Sequence, residues 1–211
     1  MPGRAPFLGT ALLAAALLTA CGTTPTPDDT PRSAAPKTTK ATKATETTKA
    51  PEAAQTLGGP GSACVLPVSF SLTEGWEPEK VDPPADPDFA ALVKQGPATI
   101  VCEAEAEGTP YVGFLRVWTA PKGPARTTLA AFVKADKIKG LALTDLKVGG
   151  RPAVEARYSV YGELMEEWRD GRSFAVQTAR GVVVVELGGL DAGEDDMVAA
   201  YERAKSTLKV T

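Results

Sequence analysis

The residues able to do chemistry are few in kind. The 211-residue chain contains no histidine and no asparagine. It therefore has no Ser-His-Asp or Cys-His nucleophile system, no imidazole ligand for zinc and no imidazole switch near neutral pH. N-glycosylation is excluded with the asparagines. Carboxylates, three cysteines and a set of aromatic rings remain. Glu103, Glu105 and Glu107 alternate, as cation ligands on one strand face would, but a solvated strand face shows the same pattern. Glu166 and Glu167 are adjacent, so on a strand they point to opposite faces, which disfavours a shared proton. Asp191 to Asp196 (DAGEDD) carries charge enough for calcium, but lacks EF-hand ligand spacing and fits the acidic first turn of a helix. Ser206-Thr207-Leu208-Lys209 matches Ser-x-x-Lys by letter only. It falls at a helix end, and no Ser-Asp-Asn or Lys-Thr-Gly accompanies it. No Gly-x-Gly-x-x-Gly or Walker pattern supports a nucleotide. No catalytic residue, metal or other cofactor is assigned on this reading.

The aromatic residues offer a weaker lead. Trp168 stands beside Asp170-Gly171, a strong two-residue hairpin signal, where full burial is difficult. Tyr158 and Tyr161 lie three apart on one expected strand and so face opposite ways. Trp168, Tyr158 and Tyr161 are the candidate ligand-binding residues, for a sugar, peptide or lipid. The competing reading is a core with one scattered exposed ring.

The start of the chain says where the protein goes. Arg4 precedes the uninterrupted small and apolar run Phe7 to Leu18. At 12 residues the run is too short for a helix to span the bilayer, which takes about 20. It suits the apolar region of a secretory signal. Leu18-Thr19-Ala20-Cys21 then resembles the bacterial lipobox. That resemblance implies cleavage between Ala20 and Cys21 and acylation of the Cys21 thiol. Each buried methylene contributes about 0.8 kcal/mol, so two or three acyl chains hold a protein on a membrane where one holds it only marginally. The expected location is the extracytoplasmic face of a bacterial cell membrane, with the lipid on Cys21 as the membrane contact.

Residues 22–60 are rich in Thr, Pro, Ala and Lys and contain no aromatic residue. Such a composition buries too little apolar surface to offset the entropy of ordering, so a disordered tether is expected. O-glycosylation of its threonines is an open alternative. Residues 61–211 form the expected globular domain, with 17 basic and 22 acidic residues by position. That acidic balance argues against nucleic acid as a partner. Cys64 and Cys102 remain after Cys21 is assigned to lipid. In an exported chain they are expected to form a disulfide, with two buried free thiols as the alternative.

The elements positioning these residues read as α+β. Cys64–Leu72 reads as a first strand, and Asp88–Gln95 as a short helix with Phe89, Leu92 and Val93 inward. Ala98–Ala106 and Tyr111–Thr119 read as further strands. A helix is expected over Thr127–Ile138, capped by Thr127 or Thr128, with Leu129, Phe132, Val133 and Ile138 buried. Hairpins then follow through Gly149-Gly150, Asp170-Gly171 and Arg180-Gly181. The last helix is expected over Glu194–Leu208. The sum is an antiparallel meander with helices packed on it.

This order carries a resemblance. Its marks are Gly75-Trp76 at a strand end, Gly149-Gly150-Arg151 before Ala153-Val154-Glu155-Ala156-Arg157-Tyr158, the valine-rich Val182–Leu187, and a closing helix ending Ser206-Thr207-Leu208-Lys209-Val210. Over residues 64–211 the chain resembles the PsbP-like α/β/α sandwich, in particular actinobacterial lipoproteins of the LpqN/LpqT type. The resemblance implies a non-catalytic module that binds an envelope protein or small ligand, with no agreed active residues. An assembly role in an envelope complex and a carboxylate-dependent hydrolase are the other readings.

If Cys21 bears the anchor, Cys21→Ala should abolish metabolic labelling with an acyl analogue and release the protein from the membrane pellet. A Cys21→Ala protein that still sediments with membranes contradicts the anchor.

Overall fold

The computed structural model describes residues 55–211. Cys21, the Ala20–Cys21 cleavage site, the signal segment and most of the tether lie outside the described residues. The described fold includes residues ahead of Gly61, because Leu57 is fully buried in a first short strand. The first strands are β1 (Thr56–Leu57), β2 (Val68–Ser71), β3 (Glu77–Lys80), β4 (Lys94–Gln95), β5 (Ala98–Glu105) and β6 (Gly113–Ala120). Helix α1 (Ala125–Val133) separates these from β7 (Ile138–Val148), β8 (Arg151–Gly162), β9 (Glu167–Gln177) and β10 (Val182–Gly189). Helix α2 (Asp195–Thr207) and β11 (Lys209–Val210) close the chain.

The large sheet runs β3-β5-β6-β10-β9-β8-β7, with β4 also on β5, and every pairing is antiparallel. A small sheet, β1-β2-β11, packs beside it. Strand β10 lies at the centre, and Val182, Val183, Val184 and Val185 are all buried. A run buried on both faces needs a cover on each side. Helix α1 supplies one, packing Leu129, Phe132 and Val133 against Trp118, Val182 and Val184. Helix α2 and the small sheet supply the other, packing Met197, Tyr201, Val68 and Phe70 against Val183, Val185 and Phe174. The architecture is therefore an antiparallel sheet between helical layers, as the meander reading expected.

Several local expectations are corrected. The segment before β4 is a 3-10 helix, Pro87–Val93, with Phe89 and Leu92 exposed to solvent; only Val93 packs inward. Helix α1 starts after Pro124, without a side-chain cap, and Thr128 sits inside it. Ile138 belongs to β7, because the chain leaves the helix at Lys134. The first strand is shorter than Cys64–Leu72, starting at Val68 after Pro67. Asp170-Gly171 is not a turn: it lies inside β9, opposite Ser159 and Tyr158. The turn between β8 and β9 is Glu163–Glu166, and Glu166 adopts φ 54° there. Glu166 and Glu167 therefore do not share a strand. The longer pairing wins because it places Ser173, Phe174, Ala175 and Val176 in register with the buried half of β8.

Two polar links fasten the layers. Cys64 and Cys102 form the expected disulfide, with Cα atoms 6.1 Å apart, tying the segment before β2 to β5. Glu155, buried under α2, accepts from Lys205 Nζ at 2.6 Å, Tyr201 Oη at 3.2 Å and Arg157 Nε at 3.2 Å. Burial alone would raise this carboxyl, but Lys205, Arg157 and Tyr201 together hold it below the usual glutamate range.

The bridge closes a loop with a sequence separation of 38. Cys64→Ser with Cys102→Ser should lower unfolding free energy by about 4 kcal/mol on the chain-entropy model. Denaturant unfolding checks this, and a loss below about 1 kcal/mol would show the bridge to be incidental.

Candidate functional site

Helix α1 is too short to cover its face of the sheet. Beyond it, the ends of β6, β8, β9 and β10 form a cleft of about 400 Å³. Phe114, Tyr158, Val160 and Glu186 line its wall, and Leu164 and Leu190 form its rim. Two glycines shape it. Phe114 lies across Gly188 on β10, and Tyr158 lies across Gly171 on β9; a Cβ at either glycine would collide with the ring. Leu164 is 92% exposed and Val112 59% exposed, an unusual presentation of apolar surface at one end of a sheet.

Glu186 is the polar centre of this cleft. It stands in β10 two residues after the buried Val184, and so points to the α1 face. Its Oε2 accepts from Trp118 Nε1 at 3.0 Å. Arg116 lies directly opposite on β6, and Glu103 opposite Arg116 on β5. Arg116 Nε donates to Glu103 Oε2, while its guanidinium rests 3.7 Å from the Phe114 ring centroid. Arg116 is thus engaged by Glu103. Burial pushes the Glu186 carboxyl up to about 7, against a weaker lowering by Arg116 and Trp118. A carboxyl poised near neutrality can accept a hydrogen bond in one state and donate one in the other. Among the described residues, Arg169 Nε is the one buried side-chain polar atom without a partner, and Arg169 lines the same cleft.

The aromatic candidates separate. Tyr158 is core: it is buried, its Oη is 3.0 Å from Ser173 Oγ, and only part of its ring reaches the cleft. Tyr161 and Trp168 are brought together on the opposite face, edge to face with centroids 5.3 Å apart. Trp168 is beside a hairpin tip as expected, but the tip is the Glu163–Glu166 turn. Sequence reasoning missed Glu186 as a centre. The only signal was a lone carboxylate closing the run Val182–Val185.

The acidic candidates have structural roles or none. Glu103, Glu105 and Glu107 gather with Glu77 and Glu79 at the edge of the sheet. Among the described residues no three Cys, Asp or Glu side chains converge as a metal-ligand group. Asp191 accepts from the Val112 backbone N–H at 2.7 Å, and Asp195 and Asp196 occupy the first turn of α2. Ser206 donates to the Arg203 carbonyl at the helix end.

The raised Glu186 carboxyl has a consequence for stability. Its folded-state value lies above its unfolded one, so the folded state holds the proton more tightly. That contribution is present below about pH 4.5 and is lost as pH rises through about 7. Glu186→Gln keeps an acceptor for Trp118. It should be more stable than the wild type above pH 7 by about 2–3 kcal/mol, with little difference near pH 4. Denaturant midpoints at both pH values check this; a difference independent of pH contradicts it.

Comparison with known proteins places the chain. Residues 34–208 match the profile of a family described as uncharacterised lipoprotein. No curated protein matches in sequence. Among solved structures, the chain is similar to the solution structure of cyanobacterial PsbP (CyanoP) from Synechocystis sp. PCC 6803. Identity is 12% and the TM-score 0.48, over 74% of this chain and 92% of that one. Since the family match spans nearly all of the fold, the chain belongs to this family of lipoproteins.

Proposed function

We propose that the protein is an exported lipoprotein, anchored through acyl chains on Cys21, whose domain is a non-catalytic binding module. The tether holds that module off the extracytoplasmic face of the membrane, as in the actinobacterial LpqN/LpqT-type lipoproteins it resembles. The cleft beyond α1 is the binding site. The observation that carries this reading is the pairing of an exposed apolar rim, Leu164 and Leu190, with the half-buried carboxyl of Glu186 in its wall, Asp170 being the other acid of the lining. Such a site suits a ligand that is largely apolar and offers one hydrogen-bonding group. A catalytic reading needs a second free acid facing Glu186. Glu103, in its cross-strand row, is held by Arg116, and Asp136, whose charge helps raise Glu186, accepts from Gln95 Nε2 at 2.9 Å, which supports binding over hydrolysis.

Assembly of an envelope complex is the second reading. The exposed Val112, Leu164 and Leu190 favour it, because a contiguous apolar patch also suits a protein partner.

The apolar fluorophore bis-ANS tests the cleft. Leu164→Glu with Leu190→Glu should weaken its binding to the full chain about fivefold, the effect of about 1 kcal/mol of lost apolar contact. Phe89→Glu with Leu92→Glu, on exposed residues of the 3-10 helix, should leave binding unchanged. Equal effects from both pairs contradict the cleft as the site.

A further inference from the structure

The second face of the sheet carries a different surface. On β8, Arg157, Ser159 and Tyr161 share the α2 face. Their partners on β9 are Arg172, Asp170 and Trp168 in the same order. Helix α2 covers the β8 row only as far as Glu155, so from Arg157 onward this face is open. A trough of about 300 Å³ follows, bounded by Arg157, Arg172, Ser159 and Asp170, with the small Gly140 and Ala142 on its β7 side. At its far end Lys137 Nζ lies 3.5 Å from the Tyr161 ring centroid, and Lys139 Nζ 4.2 Å from that of Trp168.

Two features of this surface are unexpected in an acidic domain. Arg157 and Arg172 are direct cross-strand partners, an arrangement that is destabilising for like charges. Arg157 is tied to Glu155, but Arg172 makes no ion pair among the described residues. The lysines are also held over rings, which keeps two ammonium groups on the same face as the arginines. Asp170 is the one acid bounding the trough. Glu167 alternates to the other face, and Glu163 and Glu166 belong to the turn. Asp170 lies beside Gly193 of the acidic segment Asp191–Asp196, so the cations are concentrated at the two ends of the surface, at Arg157 and Arg172 and at Lys137 and Lys139.

From Arg157 to Tyr161 is four residues, about 13 Å along the strand. A single small anion cannot bridge that distance. An extended chain with recurring negative groups can, and Trp168, 39% exposed beside the lysine that lies over its ring, leaves apolar surface for sugar C–H groups next to the cations. We propose that this open face binds an acidic polysaccharide, with Arg172, Arg157, Lys139 and Lys137 meeting its anionic groups and the exposed part of Trp168 its sugar C–H groups. This goes beyond the cleft reading, since it uses the opposite face of the sheet.

Polygalacturonate is a suitable probe, with dextran as its neutral counterpart. The full chain should bind polygalacturonate and not dextran, and affinity should fall as NaCl rises. Lys139→Gln with Arg172→Gln should weaken binding about tenfold. Lys139→Arg with Arg172→Lys should restore it, and Trp168→Ala should weaken it. Phe89→Glu with Leu92→Glu, on the 3-10 helix, should change nothing, and bis-ANS in the cleft should not compete with polygalacturonate, which separates this proposal from that one. Unchanged thermal unfolding shows the glutamine variant to be folded. The proposal is overturned by absence of polygalacturonate binding, by equal binding of dextran, by unchanged affinity in the glutamine variant, or by binding only to phosphatidylglycerol vesicles.

Discussion

The structure depends on covering β10. Four consecutive valines, Val182 to Val185, are buried on alternating faces, so neither face of the sheet centre can meet water. At about 25 cal/mol per Å² of apolar surface, this burial is the main source of cohesion, and it requires a layer on each side. The covers are short. Helix α1 has 9 residues, about 14 Å, and α2 has 13, about 20 Å. Strand β8, with 12 residues, extends for about 40 Å. Two helices of those lengths seal the centre and leave the far ends of β8 and β9 uncovered on both faces.

That mismatch produces two chemically different surfaces from one pair of strands. On the α1 face, the side chains beyond the helix are mostly apolar, with Arg169 and Glu186 as charged groups of the cleft wall, and Glu186 is caught at the boundary between covered sheet and solvent. Its carboxyl is therefore raised. On the α2 face the boundary residue is Glu155, which is compensated by Lys205, Tyr201 and Arg157 and is held low. Equivalent positions at the edges of two covers thus differ in protonation because one has cationic partners and the other has an indole N–H and an arginine already engaged by Glu103. The lipoprotein family membership sets this domain in an exported chain, where the disulfide between Cys64 and Cys102 is chemically at home.

Much of this was legible in the sequence. The valine run, the closing helix and the Gly149-Gly150 turn each obey a short-range rule, and each is where expected. The failures are places where a local signal lost to register. Asp170-Gly171 has the composition of a tight turn, yet lies within β9 because the strand continues to pair with β8 through Tyr161 and Trp168. Phe89 and Leu92 have helical spacing, but their segment is a 3-10 turn too short to bury them. The sites themselves were the least legible. Glu186 looks like an ordinary end to an apolar strand, and Lys137 and Lys139 look like the solvated end of the expected helix Thr127–Ile138 and the residue after it. Their meaning comes only from cross-strand neighbours, namely Trp118 and Arg116 for the one, Tyr161 and Trp168 for the others.

The most direct test is a carbon-detected NMR titration of the Glu186 side-chain carboxyl in the full-length protein. If the sheet end beyond α1 is a sheltered cleft wall, Glu186 titrates with a midpoint near 7. A midpoint at the ordinary glutamate value of 4.5 would mean that the carboxyl is fully hydrated, that the cleft is open surface, and that the incomplete cover over β10 creates no site there.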